Sequence, residues 1–464
     1  MKRSKGQIMP VTLFGTALVG LTMLAVFNTS QLSSKKQRLN NAADAAAYSA
    51  AVLQARSLNA VAYSNRAMVA NQVFIGQMVT LENYLNYWNV KTRNLSYVPY
   101  VNVVTAPLNS VVQSIQTTTE YLTGTAVQAS LATNTALSIA QRAIATTGGV
   151  GLLDTATTVV EANDPDIEIT LHGAVWLADA ERNWRNNLAR KHRAEELIAK
   201  GEIIQASRDR FTAERDYSQT IVPPLVSVRK RGTTDLNWEV DGTDVTFRWD
   251  AIDVLSLKIN PIDGGLFGGD PERIPIGWSK RFISGDNSEE YCNGSHTPIP
   301  DLTRNCYNRF GKDQRSAVTA GLILENEGLQ QDYSELTGLN YQLMDYYELS
   351  DGAGLDPRFP VAISVAYKDE DVKTSEQLPD LGSPNPKSGS SELNSGVFYQ
   401  ESATIGDTIE SVAKAEVYFR RPVSRDDGQD EFANVWNPYW SARLVEPAAE
   451  REQAQILKLG RTLQ

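Results

Sequence analysis

The feature that most constrains this chain lies near its start, where Ile8 to Phe27 reads IMPVTLFGTALVGLTMLAVF without one charged side chain. At about 1.5 Å of rise per residue, a helix of that length matches the ~30 Å hydrocarbon core of a bilayer. A transmembrane helix over 8–27 is therefore expected, with Ile8, Phe14, Leu18, Leu21, Leu24 and Phe27 among its anchors in lipid. Lys2, Arg3 and Lys5 precede it, and positive charge beside a short terminal segment resists translocation, so the N-terminus should stay in the cytoplasm. Lys35, Lys36 and Arg38 follow the span and count against that orientation, although a gap separates them from Phe27. A cleaved signal peptide is the competing reading, but its apolar region usually spans ~7–15 residues and ends at a small-x-small site. Here the run is longer, and Leu24 to Ser30 offers no Ala-x-Ala, so a retained anchor is expected.

The 464 residues leave ample chain for a buried core beyond the anchor. With 44 Lys and Arg against 55 Asp and Glu, the net charge of −11 opposes nonspecific attraction to nucleic acid, and no such partner is expected. Cys292 and Cys306 are the two cysteines and bracket the loop CNGSHTPIPDLTRNC. A disulfide between them would suit an oxidising compartment such as the bacterial periplasm and contribute about 3 kcal/mol in the chain-entropy model. Two unrelated buried thiols are the alternative, since spacing does not prove pairing.

After the span comes QRLNNAADAAAYSAA, in which nothing breaks a helix. Leu39, Ala42, Ala43, Ala46 and Ala50 lie along one side of it, and small side chains there allow close approach of another helix. The stripe reads either as a surface for a partner or as an alanine-rich helix packing on its own domain.

The order of features resembles the N-terminal region of the TadG-like members of the TadE/TadG family, which serve tight-adherence (Flp) pilus systems. Those features are a basic head with Gly6, an uncharged span and the alanine-rich helix, and the likeness covers roughly residues 6 to 53. A second stretch, Ala415 to Pro422 followed by Phe432 to Trp440, is similar to the tail of longer members. The resemblance implies a non-enzymatic, single-span inner-membrane protein. Its partners would be other inner-membrane and periplasmic components of the pilus machine. Many such proteins carry a von Willebrand factor A domain with an Asp-x-Ser-x-Ser metal motif, and no such motif occurs here. Adhesion through bound Mg²⁺ is therefore not carried over. A pseudopilin cut after Gly6 is an alternative, but the glutamate wanted five residues beyond the cut is Val11.

Further along, 59–93 reads as one long helix or a broken pair, 117–147 as a helix closing at Gly148-Gly149, and Val175 to Asp216 as an amphipathic helix or hairpin. After Pro223-Pro224 short β-branched and aromatic runs take over. Trp238 to Trp249 reads as a hairpin turning at Asp241-Gly242, and Val361 to Tyr367 and Ala413 to Phe419 as strands. The expected fold is α+β: a cytoplasmic head over 1–7, the transmembrane helix over 8–27, a helical region over 28–220, and a mostly antiparallel β-rich periplasmic domain over 221–464 with a flexible stretch at 379–396.

Catalytic patterns are weak. His172, His192 and His296 lack metal spacing, Gly264 to Asp270 lacks the Lys-Ser/Thr of a phosphate loop, and Asp426 to Glu431 lacks the alternating ligands of an EF-hand. Ser227 with Lys230, Tyr291 to Asn293 and Lys373 to Ser375 arrive in the order of serine-acylating penicillin-binding proteins. Ser227 sits in a strand-like run, however, where it would not meet Lys230 on a helical turn. Neither cofactor nor metal is expected.

Overall fold

Two long helices come first: α1 over Ile8–Ser96 and α2 over Asn102–Asn163. The computed structural model describes residues 8–96, 102–223, 226–242, 244–259, 272–284, 333–335, 342–368 and 408–462. Cys292, Cys306, His296, the 264–270 glycine run and the 379–396 stretch lie outside the described residues. The order continues with β1 (Ile167–Ile169), α3 (Leu171–Asn187), β2 (Leu188–Lys191), α4 (Ala194–Ala206), β3 (Arg215–Val222), β4 (Val226–Asp241), β5 (Asp244–Ile259), β6 (Glu272–Ser284), β7 (Tyr333–Glu335) and β8 (Tyr346–Leu349). It ends with β9 (Phe359–Lys368), β10 (Thr408–Phe419), β11 (Trp440–Val445) and α5 (Ala448–Thr462). The class is α+β, long apolar helices followed by two larger sheets whose strand pairs are antiparallel apart from β6–β7.

The chain forms two compact units, each drawn from separated stretches of sequence. One comprises residues 1–63, 142–189 and 348–464; the other comprises 64–141 and 190–347. Helices α1 and α2 each supply residues to both.

In the first unit, four strands form a sheet in the order β1-β9-β10-β11, all antiparallel. Valines and isoleucines suit the pleat, and Val361, Ile363, Val365, Ala415 and Val417 are fully buried. Trp184, Phe359, Phe419 and Trp440 chain together at ring separations of 5.3–5.7 Å. Thr170 caps α3 by accepting from the Gly173 amide. Gly173 itself faces Ser364, where an added Cβ would lie 2.4 Å from a carbonyl oxygen.

Gly148-Gly149 does not end a helix; α2 runs straight through it. The physical reason is close approach. A Cβ on Gly148 would stand 2.5 Å from the Trp184 ring and 2.9 Å from Ser57 Cβ. The Trp184 indole N–H donates to the Ala145 carbonyl at 2.7 Å, so the glycines make room for a buried tryptophan.

In the second unit, five strands run in the order β3-β4-β5-β6-β7. The expected hairpin forms, with each strand extending much further than the short runs suggested and the turn shifted by one residue: Asp241 faces Asp244, and Gly242 takes the left-handed φ of 61°. Phe247 and Trp249 are buried, as their alternation implied. Ser227 lies near the start of β4 opposite Thr220 and Lys258, and no helical turn joins it to Lys230. Between 175 and 216 the chain makes α3, β2 and α4 rather than one element.

Candidate membrane anchor and its stem

Residues 9–27 of α1 point their large apolar side chains outward, with Met9, Phe14, Leu18 and Met23 between 65% and 77% exposed. Leu21, Leu24 and Phe27 are less exposed, at about 40%. None of this stretch is buried against the rest of the chain, and it is long and apolar enough to cross a membrane. Its threonines are already satisfied. Thr12 donates to the Met9 carbonyl at 2.9 Å, Thr16 to Thr12 at 3.0 Å and Thr22 to Leu18 at 3.1 Å. Hydroxyls bonded back into their own helix remove the penalty of an unpaired donor in hydrocarbon.

Just beyond the span, α1 enters the first unit. Leu39, Ala42, Ala43, Ala46 and Ala50 all have zero exposure, so the stripe is packed by the chain's own core. The polar neighbours of the stripe bind the four-stranded sheet. Lys35 lies over the Tyr367 ring at 4.4 Å, Lys36 donates to the Glu410 carbonyl, and Ser411 donates to the Asn40 side chain at 2.6 Å. Asn59 pairs with the backbone of Trp440 twice, donating to its carbonyl at 2.9 Å and accepting from its N–H at 3.0 Å. In this way a side-chain amide occupies the edge of β11 that has no strand neighbour among the described residues.

An electrostatic knot sits beside Lys35 and Arg38. Burial pushes the Asp164 carboxyl up, but hydrogen bonds from the Tyr367 hydroxyl and the Asp166 amide, with the charges of Lys35 and Arg38, outweigh it and hold Asp164 below its usual value. Burial and the Asp164 hydrogen bond in turn push the Tyr367 hydroxyl up. The cations that counted against the topology from sequence are thus engaged by a folded unit. Nearby, the Glu410 carboxylate accepts from both the His172 ring and Ser364. The carboxylate sits between serine and histidine, so the histidine is not placed to take a proton from the hydroxyl.

The sequence reading found the span and the stripe but missed Asn40, Asn59 and the role of the lysines. Nothing local marked them, because their partners Glu410, Ser411 and Trp440 lie far along the chain.

In the second unit α1 and α2 meet through polar side chains. Asn65 accepts from Gln141 at 2.7 Å, Asn71 donates to Asn134 at 3.1 Å, Asn89 to Gln116 at 2.9 Å, and Thr92 to Asn109 at 2.9 Å. As the α1 member rises in number the α2 member falls, so the helices run antiparallel in one register. Glu82 belongs to the same series, with Thr123 facing it. Among the described residues neither Glu82 oxygen has a hydrogen bond of ordinary geometry, and Glu82 has no exposure. Burial pushes its carboxyl up to about 7, with Thr123 and Arg281 opposing and Glu120 assisting. Arg281 is bound to Glu120 at 2.6 Å. Asp253, also fully buried, is compensated instead by Asn83 at 2.7 Å, Arg215 at 2.9 Å and Lys230 at 3.4 Å.

Compared with known proteins, residues 6–55 match the family described as "Putative Flp pilus-assembly TadE/G-like". That segment is the span, the stem and the buried stripe. No curated protein and no solved structure matches the chain.

Proposed function

We propose that the chain is a membrane-anchored accessory protein in assembly of a Flp, tight-adherence type pilus, acting through protein contacts in the inner membrane and periplasm. The observation that carries this reading is the coincidence of the family match with one structural piece: an outward-facing apolar helix that runs without a break into a buried alanine stripe. In the proposed arrangement the basic head stays in the cytoplasm, 8–27 crosses the bilayer once, and everything beyond folds in the periplasm. Engagement of Lys35 and Lys36 by the sheet supports placing them on the side where the domain folds.

Deletion of the gene tests the proposal. Surface pili counted in negative-stain micrographs should fall and return with the wild-type gene; a deletion strain with unchanged piliation and surface adherence would sink it. The intact mass of the protein extracted from membranes separates the alternative. Retention of Met1 or Lys2 fits a permanent anchor, whereas a start at Gln7 would make this a pseudopilin.

A further inference from the structure

Helix α2 has its polarity inverted between Asn102 and Thr123. The side turned toward α1 carries Asn109, Gln116, Glu120 and Thr123, while the side turned to solvent carries Val104, Leu108, Val111, Ile115 and Leu122, each 48–63% exposed. Exposed Val103 and Tyr121 flank these five. An ordinary surface helix puts its apolar stripe inward.

The five residues recur at steps of four, three, four and seven, with exposed Thr118 filling the remaining position. That is the alternation of a coiled-coil seam, in which knobs from one helix enter holes on another. We propose that the outer face of α2 from Val104 to Leu122 is a homodimer seam that packs against the same helix of a second copy of this chain.

Three observations select that occupant. A heptad seam of Leu, Ile and Val complements itself, as a two-fold interface requires. The patch, with Val103 and Tyr121, exposes on the order of 700 Å², more than the largest patch of a typical monomer and close to the ~800 Å² that each partner gives to a standard interface. No charged residue lies between Arg93 and Glu120, so two copies of a chain of net charge −11 meet here without opposing like charges. Helix α2 from Val103 is also long and apolar enough to cross a membrane, so an adduct to lipid is the outcome that decides against the seam. The inference is independent of the pilus reading.

The test uses the full-length protein in its own membranes, with the photoreactive amino acid p-benzoylphenylalanine in place of Val111. Irradiation should give a covalent homodimer whose cross-linked peptide maps to α2 of the other copy. The double variant L108E/I115E, carrying the same photoreactive residue, should lower that yield at least tenfold. Both replaced side chains are half exposed, so the fold is retained, which circular dichroism checks. The control A106E/Q113E, on exposed residues pointing away from the seam, should leave the yield unchanged. An adduct to lipid or to a different protein, no adduct, a homodimer joined elsewhere, persistence of the homodimer in L108E/I115E, or equal loss in the control would each overturn the proposal.

Discussion

Replacing Glu82 by glutamine should make the protein more stable at neutral and alkaline pH, although it deletes a charge from the structure. The carboxyl is wholly buried, neither oxygen has a hydrogen bond of ordinary geometry among the described residues, and Arg281, the cation acting on it, is already bound to Glu120. Moving it from the ordinary 4.5 to about 7 means that the folded chain holds a proton the unfolded chain has released. Between those values stability therefore falls as pH rises, and above about 7 the loss is complete and constant. At about 1.4 kcal/mol per pH unit the loss comes to about 3.5 kcal/mol, an upper figure because structure relaxes around a buried charge. For a unit of this size that is about 7–14 °C in Tm. Glutamine keeps the shape and has no proton to lose. Thermal unfolding of the full chain in nanodiscs, followed by tryptophan fluorescence from pH 4.5 to 8, should show the wild type losing this increment while Glu82→Gln does not. Parallel pH profiles for the two proteins, or a variant less stable than wild type at pH 8, would refute the reasoning.

Other outcomes follow from the packing. Gly148→Ala should destabilise by about 1–3 kcal/mol through collision with Trp184 and Ser57, against the helix-propensity gain. Gly124→Ala, on the same helix with nothing near its added methyl, should instead stabilise by up to about 1 kcal/mol; denaturant midpoints decide both signs. Lys200 is buried, donates to the Met344 carbonyl at 2.8 Å, and is pushed down to about 7 by burial, with Asp345 opposing. The unfolded chain thus binds the extra proton, so stability should rise from about pH 7 to 10.5, and Lys200→Met should flatten that slope in melting curves. Asn59→Ala should orphan the Trp440 backbone, cost about 1–3 kcal/mol, and speed hydrogen exchange at the Trp440 amide.

Much of the architecture was legible in the residues because it rests on periodicity. The apolar run, the alanine stripe, the Trp238 to Trp249 hairpin and the strands at 361–367 and 413–419 each carry a local pattern that the structure realises. What was not legible depends on partners distant in sequence. Gly148-Gly149 has the composition of a helix end, and only Trp184 from α3 explains why the helix continues. The interleaving of the two units was hidden because α1 and α2 each serve both, and no linker marks the crossing. Glu82 carries no local mark of its burial, because the residues that enclose it, Thr123 and Arg281, come from α2 and β6.

The stretch from Asn28 to Arg38 contains neither glycine nor proline and is helical throughout. In the proposed anchored arrangement the first unit therefore has no swivel at the membrane surface. Any tilt or rotation imposed on 8–27 by the bilayer or by a neighbouring helix is delivered as torque to the sheet clasped at Lys36, Asn40 and Asn59. The stem works as a drive shaft, and inserting a short glycine-rich hinge after Asn28 would uncouple membrane from domain without altering either.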